Sequence, residues 1–262
     1  MSKKLVLIGS GIKAISHLTI EAQAYIKQAD CVLYLVNEPI IEKWLIKYGK
    51  ICISLEKHYF LYEKRSESYN KIADEILSYT EQYNFITIVL YGHPTIFSSP
   101  GLDAIKRAKK RNIETVVLPG ISAEDCLFAD LEIDPSQNGC LSIEAMSFLI
   151  FDGMIDNHYD VVVWQLGMVG NIEPVIKKNV KDGLSIIQEK LLKTYSPQHQ
   201  AILYEAALYP GIKPKITKFP IELLVNQDIS SISTLYIPAE KNRSIDEKIF
   251  LKLNLNLNNF KV

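Results

Sequence analysis

The sequence predicts an α/β protein built on a largely parallel N-terminal sheet, and three observations carry that prediction. The runs KLVLIG, CVLYLV and ITIVLY are short, β-rich and apolar on both faces, as strands covered by helices on either side must be. Helix-like stretches separate them: HLTIEAQAYIKQA after the first, and a long amphipathic run from Lys64 to Tyr83 before the third. GLDAIKRAKKR and IETVVL then repeat the alternation, which is the pattern of a parallel sheet with crossover helices.

Beyond these elements the pattern breaks at Pro119-Gly120, and Ser122 with Asp125 three positions later has the form of a helix N-cap. A domain junction is expected there, giving an N-terminal α/β domain over 1–119. YDVVVWQL, a helical region from about Asn171 to Thr194, AILYEA and SISTLYIP supply a second α/β domain over 120–240. In the tail, 241–262, Leu251, Leu253, Leu255 and Leu257 alternate with polar residues as a strand would, while IDEKIFLKL before them also reads as a helix.

Composition narrows the function. A chain of 262 residues with 48% hydrophobic content buries a substantial core. Its 29 Lys and Arg against 30 Asp and Glu leave no net basic field for a nucleic-acid backbone, so no nucleic-acid partner is expected. Cys31, Cys52, Cys126 and Cys140 are far apart and form no CxxC pair, and the five histidines are scattered, so neither a disulfide framework nor a metal site is expected. No apolar stretch approaches the ~20 residues of a membrane helix, and the start MSKKLVLIG has no signal-peptide core. A soluble cytoplasmic protein without a membrane partner is the expectation.

Two loops at strand ends are candidates for ligand binding. Gly9-Ser-Gly11-Ile-Lys-Ala14 satisfies the loose dinucleotide fingerprint, with Glu38 as a possible ribose acid, and taken alone suggests a nicotinamide oxidoreductase; a tight first turn explains it equally. The second loop is YGHPTIF, 91–97, directly after ITIVL. Its glycine permits close backbone approach and its proline stiffens the loop. A plain turn needs neither the aromatic Tyr91 nor the imidazole of His93. Tyr91 and Phe97 could offer ring faces to a cationic ligand.

Together, YGHPTIF, PGISAEDCLFADLEIDP, VVVWQLG, YEAALYP and SISTLYIP resemble the tetrapyrrole methylase superfamily, and within it the borosin-type peptide backbone α-N-methyltransferases. The resemblance runs from about residue 5 to 250. It implies a two-domain tetrapyrrole-methylase-like fold whose second α/β domain has a mixed sheet. Tetrapyrrole C-methyltransferases usually carry Gly-Asp-Pro in the loop that reads Gly92-His93-Pro94 here, and the borosin enzymes carry the histidine. Thr95 departs from the glycine common in those enzymes. The resemblance further implies S-adenosyl-L-methionine as cofactor, released as S-adenosyl-L-homocysteine, in a cleft between the domains. Its contacts would be Tyr91, His93, Ile96, Phe97, Ser122 and Ala123, with Gln165, Tyr204, Ala206, Ser233 and Thr234.

The stretch HYFLYEKRSESYNKIADEI adds a physical clue. On a helix, Tyr62, Arg65 and Tyr69 share a face that Ile72 and Ile76 continue. Such a stripe usually faces a core, but a guanidinium there must find partners or bear a heavy desolvation cost. The Arg-x-x-x-Tyr spacing of the borosin enzymes survives as Arg65 and Tyr69, with Lys64 and Ser66 flanking the arginine, and Tyr59 and Tyr62 match upstream tyrosines. A peptide nitrogen is a poor nucleophile because its lone pair is delocalised into the carbonyl. Its N–H is also a far weaker acid than a phenol of pKa ~10. Donors aimed at the amide oxygen would offset this, each contributing ~3 to 4 kcal/mol. The expected catalytic set is therefore Tyr59, Arg65, Tyr69 and Tyr91. Tyr69 or Tyr59 would take the proton, Arg65 would polarise the amide and lower a neighbouring phenol's pKa, and Tyr91 would align the nitrogen.

Fused borosin proteins carry their substrate at the C-terminus. The family-like region here leaves only a short tail, so the expected substrate is a separate precursor peptide methylated in trans. The family is homodimeric, so a homodimer is expected, or a heterotetramer with the precursor. The alternatives are a tetrapyrrole or other small-molecule methyltransferase on the same fold, and a catalytically silent peptide-binding module.

Overall fold

A computed structural model describes residues 3–59, 64–153, 155–171 and 179–255. The chain divides into two compact units: Met1–Leu131 with Asn171–Lys177 and Ala206–Pro214, and Glu132–Gly170 with Lys178–Glu205 and Lys215–Val262. The first is strictly alternating: β1 (Lys4–Gly9), α1 (Ile20–Gln28), β2 (Cys31–Leu35), α2 (Pro39–Tyr48), β3 (Cys52–Ser54), α3 (Arg65–Tyr79), β4 (Phe85–Leu90), α4 (Ser99–Lys110), β5 (Glu114–Val117) and α5 (Ala123–Leu131). Its strands lie in the order β3-β2-β4-β1-β5 and every pairing is parallel.

Both faces of this sheet are buried, which is why its strands read as continuous apolar runs. On one face Leu5, Leu7, Leu33, Ile86 and Ile88 pack with Ile72 and Ile76 of α3 and with Ala104, Ile105 and Ala108 of α4. On the other, Val6, Ile8, Val32 and Val89 pack with Ala22 and Ile26 of α1 and with Ile41 and Leu45 of α2. The strand order also fixes where a ligand can enter. From β1 the chain crosses to β2 on one side, and from β4 it crosses to β5 on the other, yet β1 and β4 are neighbours. A topological switch point therefore opens between their carboxyl ends, where the connecting loops diverge.

The second unit is mixed, as expected. It contains β6 (Cys140–Glu144), α6 (Ala145–Ile150), β7 (Asp160–Trp164), α7 (Val180–Leu191), β8 (Gln200–Glu205), β9 (Lys215–Pro220), β10 (Thr234–Ile237) and α8 (Glu247–Lys252). The order is β6-β7-β10-β8-β9, with β6 parallel to β7 and the other pairings antiparallel. Its core joins Val161, Val163, Leu203 and Leu235 to Leu184, Ile187 and Leu191 of α7. The tail forms α8 and not a strand: the Asp246 carboxylate accepts from the amides of Lys248 and Ile249, and Phe250 alone of its apolar residues is buried. Leu257 and the residues beyond Leu255 lie outside the described set.

Among the described residues no helix is long and apolar enough to cross a membrane, and no group of three or more His, Cys, Asp or Glu could hold a metal ion. Cys31 and Cys126 are buried and Cys52 and Cys140 half-buried.

At the switch point a Cβ on Gly9 would sit 2.1 Å from the Gly92 carbonyl oxygen and 2.8 Å from Pro94 Cδ. Gly9→Ala must therefore push the whole 91–94 loop off β1. The expected loss is about 1–3 kcal/mol of unfolding free energy, checked by urea denaturation; an unchanged midpoint would show that the loops are not in contact.

Candidate active site

The two ligand-loop candidates are one feature. Gly11 and Gly92 form an isolated antiparallel bridge across the switch point, each amide donating to the other's carbonyl at 3.1 Å. Both glycines have positive φ, +73° and +70°, which a side chain would strain. The turns after Gly11 are held by His17, whose Nδ1 accepts from the amides of Ile12 (3.2 Å) and Lys13 (3.1 Å). Helix α1 begins only at Ile20, capped by Thr19.

This overturns the dinucleotide reading. Its fingerprint needs the glycine loop to open directly into a helix N-terminus. Here residues 15–19 separate Ala14 from α1, and a second loop lies against the glycines. Glu38, the possible ribose acid, is buried and engaged: one oxygen accepts from Ile41 N at 2.8 Å as the N-cap of α2, the other from the Tyr209 hydroxyl at 3.0 Å. The sequence reading passed over this cap, although an acceptor directly before Pro39 signals one. The Leu208 carbonyl accepts from Ala14 N at 2.9 Å, so Ala206–Pro214 is tied to the first unit at two points.

The loop after β4 presents its side chains at this carboxyl edge. Tyr91 donates its amide to Leu35 O at the end of β2, and the residue as a whole is 38% exposed. Burial of the phenol, with the charges of Cys126 and Glu38 nearby, pushes its pKa up to about 12. Ile96 and Phe97 are exposed, and Phe97 adopts φ of +50°, a conformation rare for a bulky residue. His93 is half-buried, with Nδ1 turned toward Thr95. Gly120 places its Cα side against Pro94 and Gly9, which brings the start of α5 to the same edge. There Ser122 is buried and already engaged: its amide and hydroxyl both donate to Asp125 at 2.7 Å, and its oxygen accepts from Asp125 N. Ala123, the first residue of α5, is half-buried.

Three of the four expected catalytic residues come together. The Ser68 hydroxyl of α3 donates to Tyr59 O at 3.2 Å, and the rings of Tyr59 and Tyr69 lie 6.2 Å apart. Arg65, one turn before Tyr69, acts on the same phenol. Tyr62 lies outside the described residues. Tyr91 stands two strands away, beside Glu38 and Cys126.

The electrostatics of the cluster correct one expectation. Arg65 does favour the Tyr69 phenolate, but burial and the neighbouring Tyr59 outweigh it, and the Tyr69 pKa is pushed up to about 12. Tyr69 is thus a neutral hydroxyl at physiological pH. Arg65 itself is unusual. It is the first residue of α3, where the helix dipole is positive, and Lys64 precedes it without a side-chain cap. Among the described residues no carboxylate pairs with it, and its buried Nε has no acceptor. The start of α3 therefore concentrates positive potential and, among the described residues, a buried donor without a partner.

On the second unit four expected contacts share one sheet edge. Gln165 ends β7 in the left-handed conformation, the next amide donates to Ser233 O at 3.3 Å, and Thr234 is in register with Tyr204. Ser233 is fully buried and donates to Glu205 Oε1 at 2.6 Å, while Tyr204 and Thr234 are buried too. Among the described residues the Gln165 side chain has no hydrogen-bond partner. Ala206 follows β8 and is half-buried.

The five-stranded parallel sheet with a glycine-lined switch point and the five-stranded mixed sheet define a class. Residues 4–220 match the family model described as Tetrapyrrole (Corrin/Porphyrin) Methylases, and the chain belongs to that family. Among solved structures it is similar to a uroporphyrin-III C-methyltransferase of Thermus thermophilus (TM-score 0.65, 15% identity, 91% of this chain and 93% of that one). A form of that enzyme complexed with S-adenosyl homocysteine matches at TM-score 0.61, with 17% identity over 90% of this chain and 97% of that one. Among curated proteins it is 34% identical over 249 residues to a methyltransferase/ribosomally synthesized cyclic peptide dendrothelin A precursor of Dendrothele bispora, covering 94% of this chain and 60% of the relative. The omphalotin A precursor protein of Omphalotus olearius is 32% identical, over 96% and 61%. The chain thus spans about three fifths of the length of the first curated relatives it matches.

The buried phenols set an alkaline limit. An unfolded tyrosine ionises near pH 10, while Tyr69 and Tyr91 hold their protons to about pH 12. Between these values the unfolded chain binds fewer protons than the folded one, so stability falls as pH rises from about 10 to 12. Tyr69→Phe should flatten that fall, read as the change of urea midpoint with pH; an equally steep decline in the variant would show that Tyr69 ionises normally.

Proposed function

We propose that this chain is an S-adenosylmethionine-dependent methyltransferase that N-methylates backbone amides of a ribosomally made precursor, supplied as a separate polypeptide. The single observation that carries the reading is the Arg65–Tyr59–Tyr69 cluster at the start of α3, which has no side-chain cap: an Arg65 Nε with no acceptor among the described residues, and positive potential, beside two phenol rings 6.2 Å apart. The precursor names of the relatives support the choice of a peptide over a tetrapyrrole.

The residues present fit the cofactor. Gly92 leaves room for a close approach of the backbone, since a Cβ there would meet only Ile12 Cδ1 at 3.5 Å. Tyr91, Ile96 and Phe97 offer exposed apolar surface beside it, and His93 offers an imidazole nitrogen. These, with Ser122, Ala123 and Ala206, are the proposed contacts on the first unit. With the hydroxyl of Ser122 engaged by Asp125, its contribution is to hold the start of α5 in place. On the second unit the proposed contacts are Gln165, Tyr204, Ser233 and Thr234. S-adenosylmethionine, when bound, would supply an electrophilic methyl group on sulfur and leave as S-adenosylhomocysteine.

The chain's own residues must make the amide nitrogen a nucleophile. Arg65 donates to the amide oxygen and stabilises the imidate-like charge that forms as nitrogen loses its proton. One member of the Tyr59–Tyr69 pair, reacting as its phenolate, takes that proton and becomes the neutral phenol, with the second ring beside it. A phenol held near pKa 12 lies closer to the amide than a free one, which lowers the thermodynamic cost of the transfer by ~1.4 kcal/mol per unit. The same shift makes the ionised form scarce, so catalysis leans on Arg65. Tyr91 orients the nitrogen toward the methyl group.

Arg65→Ala should lower the single-turnover methylation rate about 10²–10³-fold, and Tyr69→Phe and Tyr59→Phe should each lower it at least ~10-fold. Near-normal rates in all three would reject the assignment. A second measurement addresses the substrate: intact mass of the chain after incubation with cofactor alone should be unchanged, and added methylene masses on this chain would show self-methylation instead.

A further inference from the structure

His93 and Thr95 flank Pro94, which has no amide proton to compete for the imidazole. The Thr95 amide lies 3.2 Å from His93 Nδ1, and the Thr95 hydroxyl 3.1 Å from the same atom. An amide can only donate, so Nδ1 must present its lone pair, and the ring proton of a neutral imidazole then resides on Nε2. A proton on Nδ1 would face the amide proton directly. Among the described residues Nε2 has no partner. The ring stands at the switch point, half-buried, between the Gly11–Gly92 bridge and the exposed Ile96 and Phe97.

We propose that Thr95 is a positioning residue that locks His93 in its Nε2-protonated neutral form, making Nε2–H a fixed hydrogen-bond donor to an acceptor oxygen of a bound ligand. This rests on the function proposed above, in which two ligands bring such oxygens: the carboxylate or ribose of the cofactor, and the carbonyl of the peptide amide. The amide contact at 3.2 Å is long, so the hydroxyl is needed to hold the ring against rotation. A glycine at this position would keep the amide contact and lose the second one.

The test begins with the ring itself. In chain labelled with ¹⁵N-histidine, long-range ¹H–¹⁵N correlation should show His93 with a bare Nδ1 and a protonated Nε2, assigned by the signals lost in His93→Gln. Thr95→Val removes the hydroxyl at nearly constant shape and should give a mixture of tautomers, with Thr95→Ser restoring the single form. S-adenosylhomocysteine binding by calorimetry and steady-state kinetics with a precursor peptide then identify the acceptor. An oxygen on the cofactor weakens S-adenosylhomocysteine binding about five-fold in Thr95→Val; an oxygen on the peptide leaves that binding alone and raises the peptide KM about five-fold. Either result supports the proposal. A proton on Nδ1 in the wild-type chain overturns it, as does a Thr95→Val chain that matches wild type in tautomer, affinity and KM. If the wild-type chain methylates no peptide while its tautomer is locked and its S-adenosylhomocysteine affinity depends on Thr95, the peptide reading fails and the fixed donor stands.

Discussion

The structure of the candidate site depends on one close approach of two backbones. At the carboxyl edge of the parallel sheet the chain leaves β1 and β4 in opposite directions, and the loops would part there but for the reciprocal amide bonds of Gly11 and Gly92. A Cβ on Gly9 would strike the Gly92 carbonyl and one on Gly11 would strike His17, while Gly11 and Gly92 both hold positive φ, so three glycines stand where the backbones meet. With the two loops joined, Pro94 packs against Gly9 and Gly120. Tyr91, His93, Ile96 and Phe97 are then held at an edge that the fold leaves open. The bridge satisfies its own polar groups internally, which frees the neighbouring side chains for a ligand.

The start of α3 is organised on the opposite principle, since it leaves polar groups unsatisfied. A lysine and an arginine stand at the positive end of a helix dipole, an arrangement that costs about 0.3–1 kcal/mol relative to acidic residues there. Among the described residues the buried Arg65 Nε has no acceptor. The remainder of the helix is conventional, with Ile72, Ala73, Ile76 and Leu77 all in the core. A local violation at one end of an otherwise consistent element is where a functional demand is expected to appear. Tyr59 and Tyr69 complete the cluster as neutral phenols because burial outweighs the guanidinium beside them.

Much of this was legible in the residues. β1, β2 and β4 are apolar on both faces because helices cover both, and that shows directly in KLVLIG, CVLYLV and ITIVLY. β3, β6 and β9 were not found: β3 has three residues, and the edge strands β6 and β9 mix exposed and half-buried positions that carry little periodic signal. Arg65 stood out as a cation on an apolar stripe, and Ser122 with Asp125 as a cap, both local patterns. What could not be read was long-range: that Glu38 answers Tyr209, 171 residues away, that Ser233 is turned inward to Glu205, or that burial reverses the net effect of Arg65 on Tyr69. Spacing reports which residues share a face; it carries no information on desolvation or on partners that the topology brings in later.

The most direct test is a crystal structure of the chain with S-adenosylhomocysteine bound. The account predicts the ligand against the Gly11–Gly92 edge, touching Tyr91 and His93, with the Arg65 guanidinium and the Tyr59–Tyr69 hydroxyls facing the volume in front of its sulfur. A ligand seated away from that edge, or a cluster turned from the sulfur, would contradict it.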